Sequence, residues 1–227
     1  IDIASFSIHL LLLTAVSAAL FRRNQLLLIY ASFSLASVSS FLSVVAGFQV
    51  VANGIIEGII LPIGLPDLMF HMRLDPLAGF FLVVIGLLSL FVSIYSMGYM
   101  KGFLGKRPVT SLVVFYCLFL SGMYMVVLAD DALFFLISWE VMAAASYFLV
   151  MFEDEKIENR RAAFLYMIVA HVGAISILLS FGVLAGFATG FQGFSGYTFD
   201  AMRSTRFPVG WATAAFLLAF FGFAAKA

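Results

Sequence analysis

Long apolar runs without charged residues constrain this chain more than any other feature of its sequence. Seven windows of roughly span length occur, at about 3–21, 26–52, 76–100, 109–129, 132–152, 162–186 and 207–227. An α-helix crosses the roughly 30 Å hydrocarbon core of a bilayer in about 20 residues, so each window predicts a transmembrane helix. Charged residues make up only 11% of the chain, against about 25% in soluble domains. The sequence therefore predicts an all-α polytopic membrane protein with about seven helices in a lipid bilayer.

The basic residues between the windows predict how the helices are oriented. If successive helices alternate in direction, eight basic residues reach one side of the membrane and three reach the other. The positive-inside rule makes the first side cytoplasmic, so the N-terminus faces outward. The first group comprises Arg22, Arg23, Lys101, Lys106, Arg107, Lys156, Arg160 and Arg161, and the second comprises Arg73, Arg203 and Arg206.

The outer connection at 53–75 differs in composition from a membrane-spanning window. It is apolar, contains two prolines and lacks a pattern long enough to span the membrane. We therefore expect a hairpin or an interfacial segment between the second and third helices.

Charge balance and cysteine content exclude several classes of function. Twelve basic and twelve acidic residues cancel, which leaves no excess charge to hold nucleic acid. The single cysteine, Cys117, excludes disulfide frameworks and cysteine-ligated metal or iron–sulfur sites within this chain. We expect no metal site, no bound cofactor and no catalytic centre here, so any redox cofactor is expected in a partner subunit.

Glu140 is a carboxylate in the middle of the apolar run FFLISWEVMAAASYFLV at 134–150. A charged side chain at this depth costs about 2.5–3.5 kcal/mol on insertion scales, and such residues usually face a bundle interior or line an ion path. Ala143 and Ala144, one turn further on, leave room for a helix or for water to approach it. Two interpretations stay open: a protonated residue that joins helices by a hydrogen bond, or a proton-transfer site.

Four further ionisable residues and one serine accompany Glu140. His171 in the sixth window is either an interhelical hydrogen-bond donor or a proton relay, since imidazole takes and releases protons near neutral pH. Lys226 either reaches toward the headgroups or, if apolar sequence continues beyond it, is a buried cation that needs a carboxylate or a water chain. Arg160 and Arg161 are either topology anchors or accessory groups of a proton path, and Ser146 is a further accessory candidate.

Four stretches together resemble the antiporter-like membrane subunits of respiratory complex I and the group 4 membrane-bound hydrogenases. They are DPLAGFFLVVIGLLSLFVSIYSMGYM at 75–100, ADDALFFLISWEVMAAASYFLVMF at 129–152, NRRAAFLYMIVAHVGAISILL at 159–179 and AFFGFAAKA at 219–227. The amino-acid sequences of the second and third stretches are most similar to the large antiporter-like subunit of the group 4 hydrogenases, the hydrogenase-4 component B or formate hydrogenlyase type.

The resemblance implies a fold of about fourteen helices, with two five-helix units related by inverted symmetry and a seventh helix broken near mid-membrane. The chain would supply its N-terminal half only. Residues 1–107 would form helices one to three, with the hairpin-like loop at 53–75. Residues 108–227 would form the first antiporter-like unit, helices four to seven, truncated at the helix break beside Lys226.

The resemblance also implies a function, a set of site residues and a set of partners. Glu140 and Lys226 would form an interacting carboxylate–lysine pair, with His171 in a hydrated path beyond it, and would translocate protons in a redox-driven complex of the cell inner membrane. Other membrane subunits and a peripheral redox arm would be the partners, and iron–sulfur clusters, a nickel–iron centre or flavin and quinone would lie there. The alternative is a subunit of a multi-subunit sodium/proton antiporter without electron transfer, in which sodium could replace the proton.

Overall fold

The computed structural model describes residues 1–227 except 21–23, 66–67, 188–193, 195, 207 and 227. Eight helices and two strands follow one another along the described chain: α1 Asp2–Leu20, α2 Gln25–Asn53, β1 Glu57–Leu65, β2 Leu68–Leu74, α3 Pro76–Tyr99, α4 Val109–Leu128, α5 Ala132–Val150, α6 Ile157–Leu184, α7 Phe199–Ser204 and α8 Val209–Ala224. Short 3-10 turns at Met100–Phe103 and Met151–Glu153 extend α3 and α5. The predicted all-helical membrane fold is confirmed, with one β-hairpin added.

Six of the described helices, α1 to α6, are long and apolar enough to cross a membrane. The seventh window holds α8, whose 16 residues cover only about 24 Å at 1.5 Å per residue. α8 ends at Ala224, two residues before Lys226. Within the described residues, α8 is therefore shorter than a full membrane span.

Side-chain caps fix the starts of several helices. Asn24 accepts a hydrogen bond from the backbone N–H of Leu27, and Asp75 accepts one from that of Ala78. Asp131 accepts one from the N–H of Phe134 at 2.7 Å. Each cap satisfies a backbone donor that has no partner inside its helix, so the sequence itself marks where α2, α3 and α5 begin.

The connection at 53–75 is an antiparallel β-hairpin, one of the two forms predicted for it. Glu57 pairs with Leu74 and Leu65 pairs with Leu68, with an irregularity between Leu61 and Gly64. Gly64 adopts a φ of +141°, a conformation that side-chain-bearing residues rarely take. The hairpin is joined to the helices because the N–H of Asp130 donates to the carbonyl of His71 at 2.9 Å.

α2 and α3 approach each other closely through glycines and serines. A Cβ at Gly47 would lie 2.4 Å from the carbonyl oxygen of Gly79, and one at Gly86 would lie 2.4 Å from Ser43 Oγ. Small residues let membrane helices come together at backbone distance. Behind this contact, the hydroxyl of Tyr124 on α4 lies 3.1 Å from both Ser43 Oγ and Ser89 Oγ, so a buried hydroxyl network joins three helices.

The connections meet at two opposite ends of the bundle, as the alternating topology predicts. Arg107, which follows α3, lies 3.6 Å from Asp154 and 3.0 Å from Glu155, which follow α5. At the other end Arg73 of the hairpin lies 3.4 Å from Asp130, which follows α4. Arg22 and Arg23 lie outside the described residues. Which end faces the cytoplasm stays a prediction.

α4 holds the bundle together because it packs against both α1 and α5. The two groups of buried residues that result lie around α1 to α4 and around α5 to α7. The division of the chain into 1–107 and 108–227 stays a prediction, and it falls just before α4.

Candidate functional site: an acid–base pair on α5 and α6 beside a lysine

The structure brings Glu140 of α5 and His171 of α6 into contact. Oε2 of Glu140 lies 3.4 Å from Nε2 of His171. Glu140 lies eight residues into a 19-residue helix and His171 fourteen residues into a 28-residue helix, so both belong to the middle of their helices. Two predicted site residues thus form one acid–base pair between the middle parts of α5 and α6, with both side chains partly exposed.

The second nitrogen of His171 determines what this pair holds. Nδ1 lies 3.0 Å from the carbonyl oxygen of Met167, one turn earlier on α6. A carbonyl can only accept, so Nδ1 carries a hydrogen. A neutral imidazole then has a bare lone pair on Nε2, which would repel an ionised Glu140. The contact becomes attractive when one proton is added, either on Nε2 or on Glu140. A part for this pair in proton transfer stays a prediction.

Water or a neighbouring helix has access to the pair from one side. The side chains of Glu140 and His171 are 39% and 52% exposed. A groove of about 560 Å³ runs beside His171 and is lined mostly by apolar residues: Tyr147, Phe164, Met167, Ile168, Val172 and Ile175. The acid–base pair is thus open on this side within the described chain.

Lys226 lies in an aromatic environment between α5 and α6. Its Nζ donates a hydrogen bond to the hydroxyl of Tyr166. The same atom lies 4.5 Å from the ring centre of Tyr166 and 5.8 Å from that of Trp139. Trp139 directly precedes Glu140 on α5, but side chains one position apart on a helix do not face each other. A direct contact between Glu140 and Lys226 stays a prediction.

The close crossing of α6 and α8 determines where Lys226 lies. A Cβ at Gly173 would lie 2.8 Å from the carbonyl oxygen of Gly222, and one at Gly222 would lie 2.7 Å from that of Gly173. Phe223, next to Gly222, packs edge-to-face on Trp139 at 5.7 Å between ring centres. The glycine contact therefore fixes the end of α8 against both helices that carry the acid–base pair.

The accessory candidates lie apart from this centre or are only half-buried. Arg160 donates to the carbonyl oxygen of Asp154 at 2.6 Å, at the start of α6. Arg161 beside it is exposed, and Ser146 on α5 is half-buried. These positions agree with the interpretation of the two arginines as anchors at one end of the bundle, and their part in a proton path stays a prediction.

Sequence reasoning did not identify Tyr166 or Trp139 as site residues. Both lie in apolar runs with many aromatic residues, where the ordinary interpretation is packing. The only sequence signal is proximity, since Trp139 adjoins Glu140 and Tyr166 precedes His171 by five residues. Their contacts with Lys226 depend on how three helices pack, which residue spacing along one helix does not show.

A cluster of charged residues at the hairpin end was also missed. Arg73 lies 3.7 Å from Asp75, 3.4 Å from Asp130 and 3.5 Å from Asp200. Burial raises the pKa of the Asp130 carboxyl above its usual range, although the Arg73 guanidinium opposes this. Asp131 beside it accepts a hydrogen bond from the N–H of His71 at 2.6 Å and also caps α5. The cluster joins the hairpin to the start of the helix that carries Glu140.

Within the described ranges, no group of three or more histidine, cysteine, aspartate or glutamate side chains is arranged to hold a metal ion.

Comparison with known proteins identifies the family. Residues 61–105 match the family model of the NADH-ubiquinone oxidoreductase (complex I) chain 5 N-terminus. Residues 129–227 match the model of the NADH:quinone oxidoreductase/Mrp antiporter transmembrane region. The chain belongs to the antiporter-like membrane subunits of complex I and its relatives. The second match covers α5, α6 and α8, and thus Glu140, His171 and Lys226.

Individual relatives agree with this family. The antiporter-like chain is 35% identical to hydrogenase-4 component B of Escherichia coli K12 over 156 residues, which are 69% of this chain and 22% of that protein. It is 32% identical to F(420)H(2) dehydrogenase subunit L of Methanosarcina mazei over 111 residues, 49% of this chain and 16% of that one. The chain thus spans about a fifth of the length of these relatives.

A solved structure confirms the fold of the antiporter-like chain. A chain of the membrane-bound sulfane sulfur reductase, an archaeal respiratory membrane complex, superposes with a TM-score of 0.81. The match covers 99% of this chain and 44% of that one at 16% sequence identity. Both proteins share one helical arrangement. At this sequence identity the similarity shows the fold and does not assign a role to any residue.

Proposed function

We propose that this chain translocates protons as a membrane subunit of a redox-driven respiratory complex. The observation that carries the proposal is the contact between Nε2 of His171 and Oε2 of Glu140 at 3.4 Å, with Nδ1 committed to the carbonyl of Met167. In the proposal, one proton is held between these two groups, near the middle of two membrane-spanning helices. Ionisable residues in such positions typically mark proton relays in pumps and transporters.

Lys226 is the cation that changes how tightly the pair holds its proton. Two unit charges 4 Å apart interact by about 4 kcal/mol at an effective dielectric constant of about 20, which is roughly a thousandfold in a proton equilibrium. Approach of Lys226 to Glu140 would stabilise the carboxylate and transfer its proton to His171. Withdrawal of Lys226 would return the proton to Glu140. Alternation between these positions moves a proton, as coupled titrating groups require.

The driving energy for this movement comes from partner subunits in the proposal. The relatives are named as parts of a hydrogenase and of an F(420)H(2) dehydrogenase. We propose that other membrane subunits adjoin this chain in a cell inner membrane, with its N-terminus on the periplasmic side. A peripheral arm would carry the iron–sulfur clusters and the nickel–iron centre, or flavin and quinone, so this chain would contribute proton transport and no catalytic centre.

A second candidate function is that of a subunit of a multi-subunit sodium/proton antiporter. The family model that covers 129–227 is described by both NADH:quinone oxidoreductase and Mrp antiporter. Both functions use the same acid–base pair. They differ in whether transport depends on electron transfer in the intact complex, and a sodium requirement without a redox substrate would favour the antiporter.

The test uses the intact complex in sealed membrane vesicles. We expect Glu140→Gln to lower proton transport by about a hundredfold, the lower end of what a positioned proton donor or acceptor contributes, while the complex still assembles. Lys226→Ala should also lower transport strongly. Glu158→Gln is the matched control, because Glu158 is an exposed carboxylate in the first turn of α6.

A double variant separates a working pair from two independent residues. If Glu140 and His171 act as one unit, Glu140→Gln combined with His171→Gln should lose little more transport than either change alone, since residues that act together are strongly non-additive. Wild-type transport in an assembled Glu140→Gln complex would refute the proposal and leave Glu140 as an interhelical hydrogen-bond donor.

A further inference from the structure

The ammonium group of Lys226 is held by aromatic side chains. Tyr166 contributes a hydroxyl that accepts its hydrogen bond and a ring 4.5 Å away, and Trp139 contributes a second ring at 5.8 Å. Among the described residues, no carboxylate oxygen forms an ion pair with Lys226. Within that part of the chain, the contacts of Lys226 are with aromatic side chains.

Tyr166 and Trp139 together form an aromatic cradle, which binds a lysine in a different way than a carboxylate does. Aromatic faces attract a cation through their quadrupole, and a phenol oxygen accepts from an ammonium. A phenol can also donate to an unprotonated amine, so Tyr166 is able to hold Lys226 both before and after the loss of its proton. A carboxylate favours only the charged lysine. The position on Tyr166 is thus the one from which Lys226 can give up a proton.

The surroundings fix this cradle at one place. Tyr166 lies on α6, whose Gly173 contacts Gly222 of α8 at backbone distance. Trp139 packs against Phe223 and is nine-tenths buried. Among the residues that the structure describes, the titratable group in contact with Lys226 is Tyr166 from α6. From α5, Glu140 follows Trp139 and is itself paired with His171.

We propose that Tyr166 is a positioning residue that competes with Glu140 for Lys226. Its hydroxyl holds the ammonium in a withdrawn position, with the Trp139 ring as the second wall of the cradle. When Lys226 moves from Tyr166 to Glu140, it binds its proton more tightly. This role rests on the proton transport proposed above, but the competition itself can be measured without transport.

The first measurement follows the chemical reactivity of Lys226 in the purified intact complex. Acetic anhydride acetylates only unprotonated amines, and mass spectrometry of the peptide that contains Lys226 gives the rate at fixed pH. Tyr166→Phe removes the hydroxyl and keeps the ring, so Lys226 should move to Glu140, retain its proton and react several-fold more slowly. Tyr95→Phe, a change in an exposed tyrosine of α3, should leave the rate unchanged.

A second variant pair distinguishes competition from simple loosening of the site. In a Glu140→Gln background Lys226 has no carboxylate to move to, so Tyr166→Phe should no longer slow acetylation. If Tyr166 only packs, its loss should loosen the site and make Lys226 react faster. An unchanged or faster rate in the single Tyr166→Phe variant would overturn the proposal.

Proton transport in vesicles then tests the consequence for function. The pH profile of transport in Tyr166→Phe should move to more alkaline pH, by up to about one unit for a tenfold change in a proton equilibrium. Slower acetylation with an unmoved profile would refute the role of Tyr166 in transport. Normal transport in Glu140→Gln would refute the proposed function alone, because the acetylation result does not depend on it.

Discussion

Gly222→Ala is the substitution that most directly tests how the site is assembled. Gly222 lies where α8 crosses α6, four residues before Lys226. An added Cβ would lie 2.7 Å from the carbonyl oxygen of Gly173 and 2.6 Å from Cγ1 of Ile177. The side chain of Ile177 can rotate, but the carbonyl belongs to the backbone of α6. The two helices would therefore have to move apart.

The size of the effect follows from this geometry. Ordinary Cβ contacts begin at 3.4 Å, so the carbonyl of Gly173 is too close by about 0.7 Å. Overpacking of a close contact costs about 1–3 kcal/mol. Alanine also gains up to about 1 kcal/mol over glycine inside a helix, and this gain must be subtracted with a control. Gly182→Ala on α6 is that control, because no atom of the described residues lies within 4 Å of a Cβ at Gly182.

The assay is reversible unfolding of the detergent-solubilised protein, followed by helical circular dichroism. Gly222→Ala should be less stable than Gly182→Ala by about 1–3 kcal/mol, and its proton transport in the intact complex should fall because Lys226 moves with α8. Equal stability of the two alanine variants would show that α8 does not lie against α6 at backbone distance. The placement of Lys226 beside Tyr166 would then be wrong as well.

Two further predictions concern the buried hydroxyl network and the hairpin end. Tyr124→Phe removes the hydroxyl near Ser43 and Ser89; it should cost about 0.6 kcal/mol, the average for interhelical hydrogen bonds in membranes, and an unchanged unfolding free energy would contradict the network. For Asp130→Asn, the raised pKa of Asp130 decides how stability changes with pH. The folded state binds the Asp130 proton more tightly than the unfolded state does. This stabilisation is present below the ordinary aspartate range and is lost as pH rises through the raised pKa. In unfolding experiments at several pH values, the Asp130→Asn variant should therefore lose less stability than the unmodified protein as pH rises over that acidic range. An identical pH dependence of the two proteins would contradict this prediction. Asp75→Asn, which keeps Asp130 beside Arg73, is the control.

Much of the membrane architecture follows from the sequence because its signals are local. Six apolar windows became full-length helices, since a span in lipid must satisfy its backbone hydrogen bonds internally. Asp75 and Asp131 precede helix starts that their side chains cap. The connection at 53–75 was predicted as a hairpin or an interfacial segment, but the choice of an antiparallel pair needed the structure because its apolar residues fit both.

The candidate site was predictable in its members and less so in its contacts. Glu140, His171 and Lys226 stand out because ionisable side chains are costly in an apolar run. Which of them touch depends on the rotation of each helix and on the crossings at glycines. The sequence paired Glu140 with Lys226 through a family resemblance. The structure instead places His171 against Glu140 and Lys226 against Tyr166, and the direct carboxylate–lysine contact stays a prediction for another state.

The sequence by itself determined that this chain spans a membrane, where its helices lie and which side chains are expensive to keep there. Those properties depend on the transfer of each segment from water to lipid, a sum over neighbouring residues along the chain. Only the tertiary structure decided that Glu140 lies against His171 and that Tyr166 and Trp139 hold Lys226. These contacts join residues up to 87 positions apart, such as Trp139 and Lys226. The position of Lys226 depends on the crossing at which Gly173 and Gly222 let α6 and α8 meet at backbone distance.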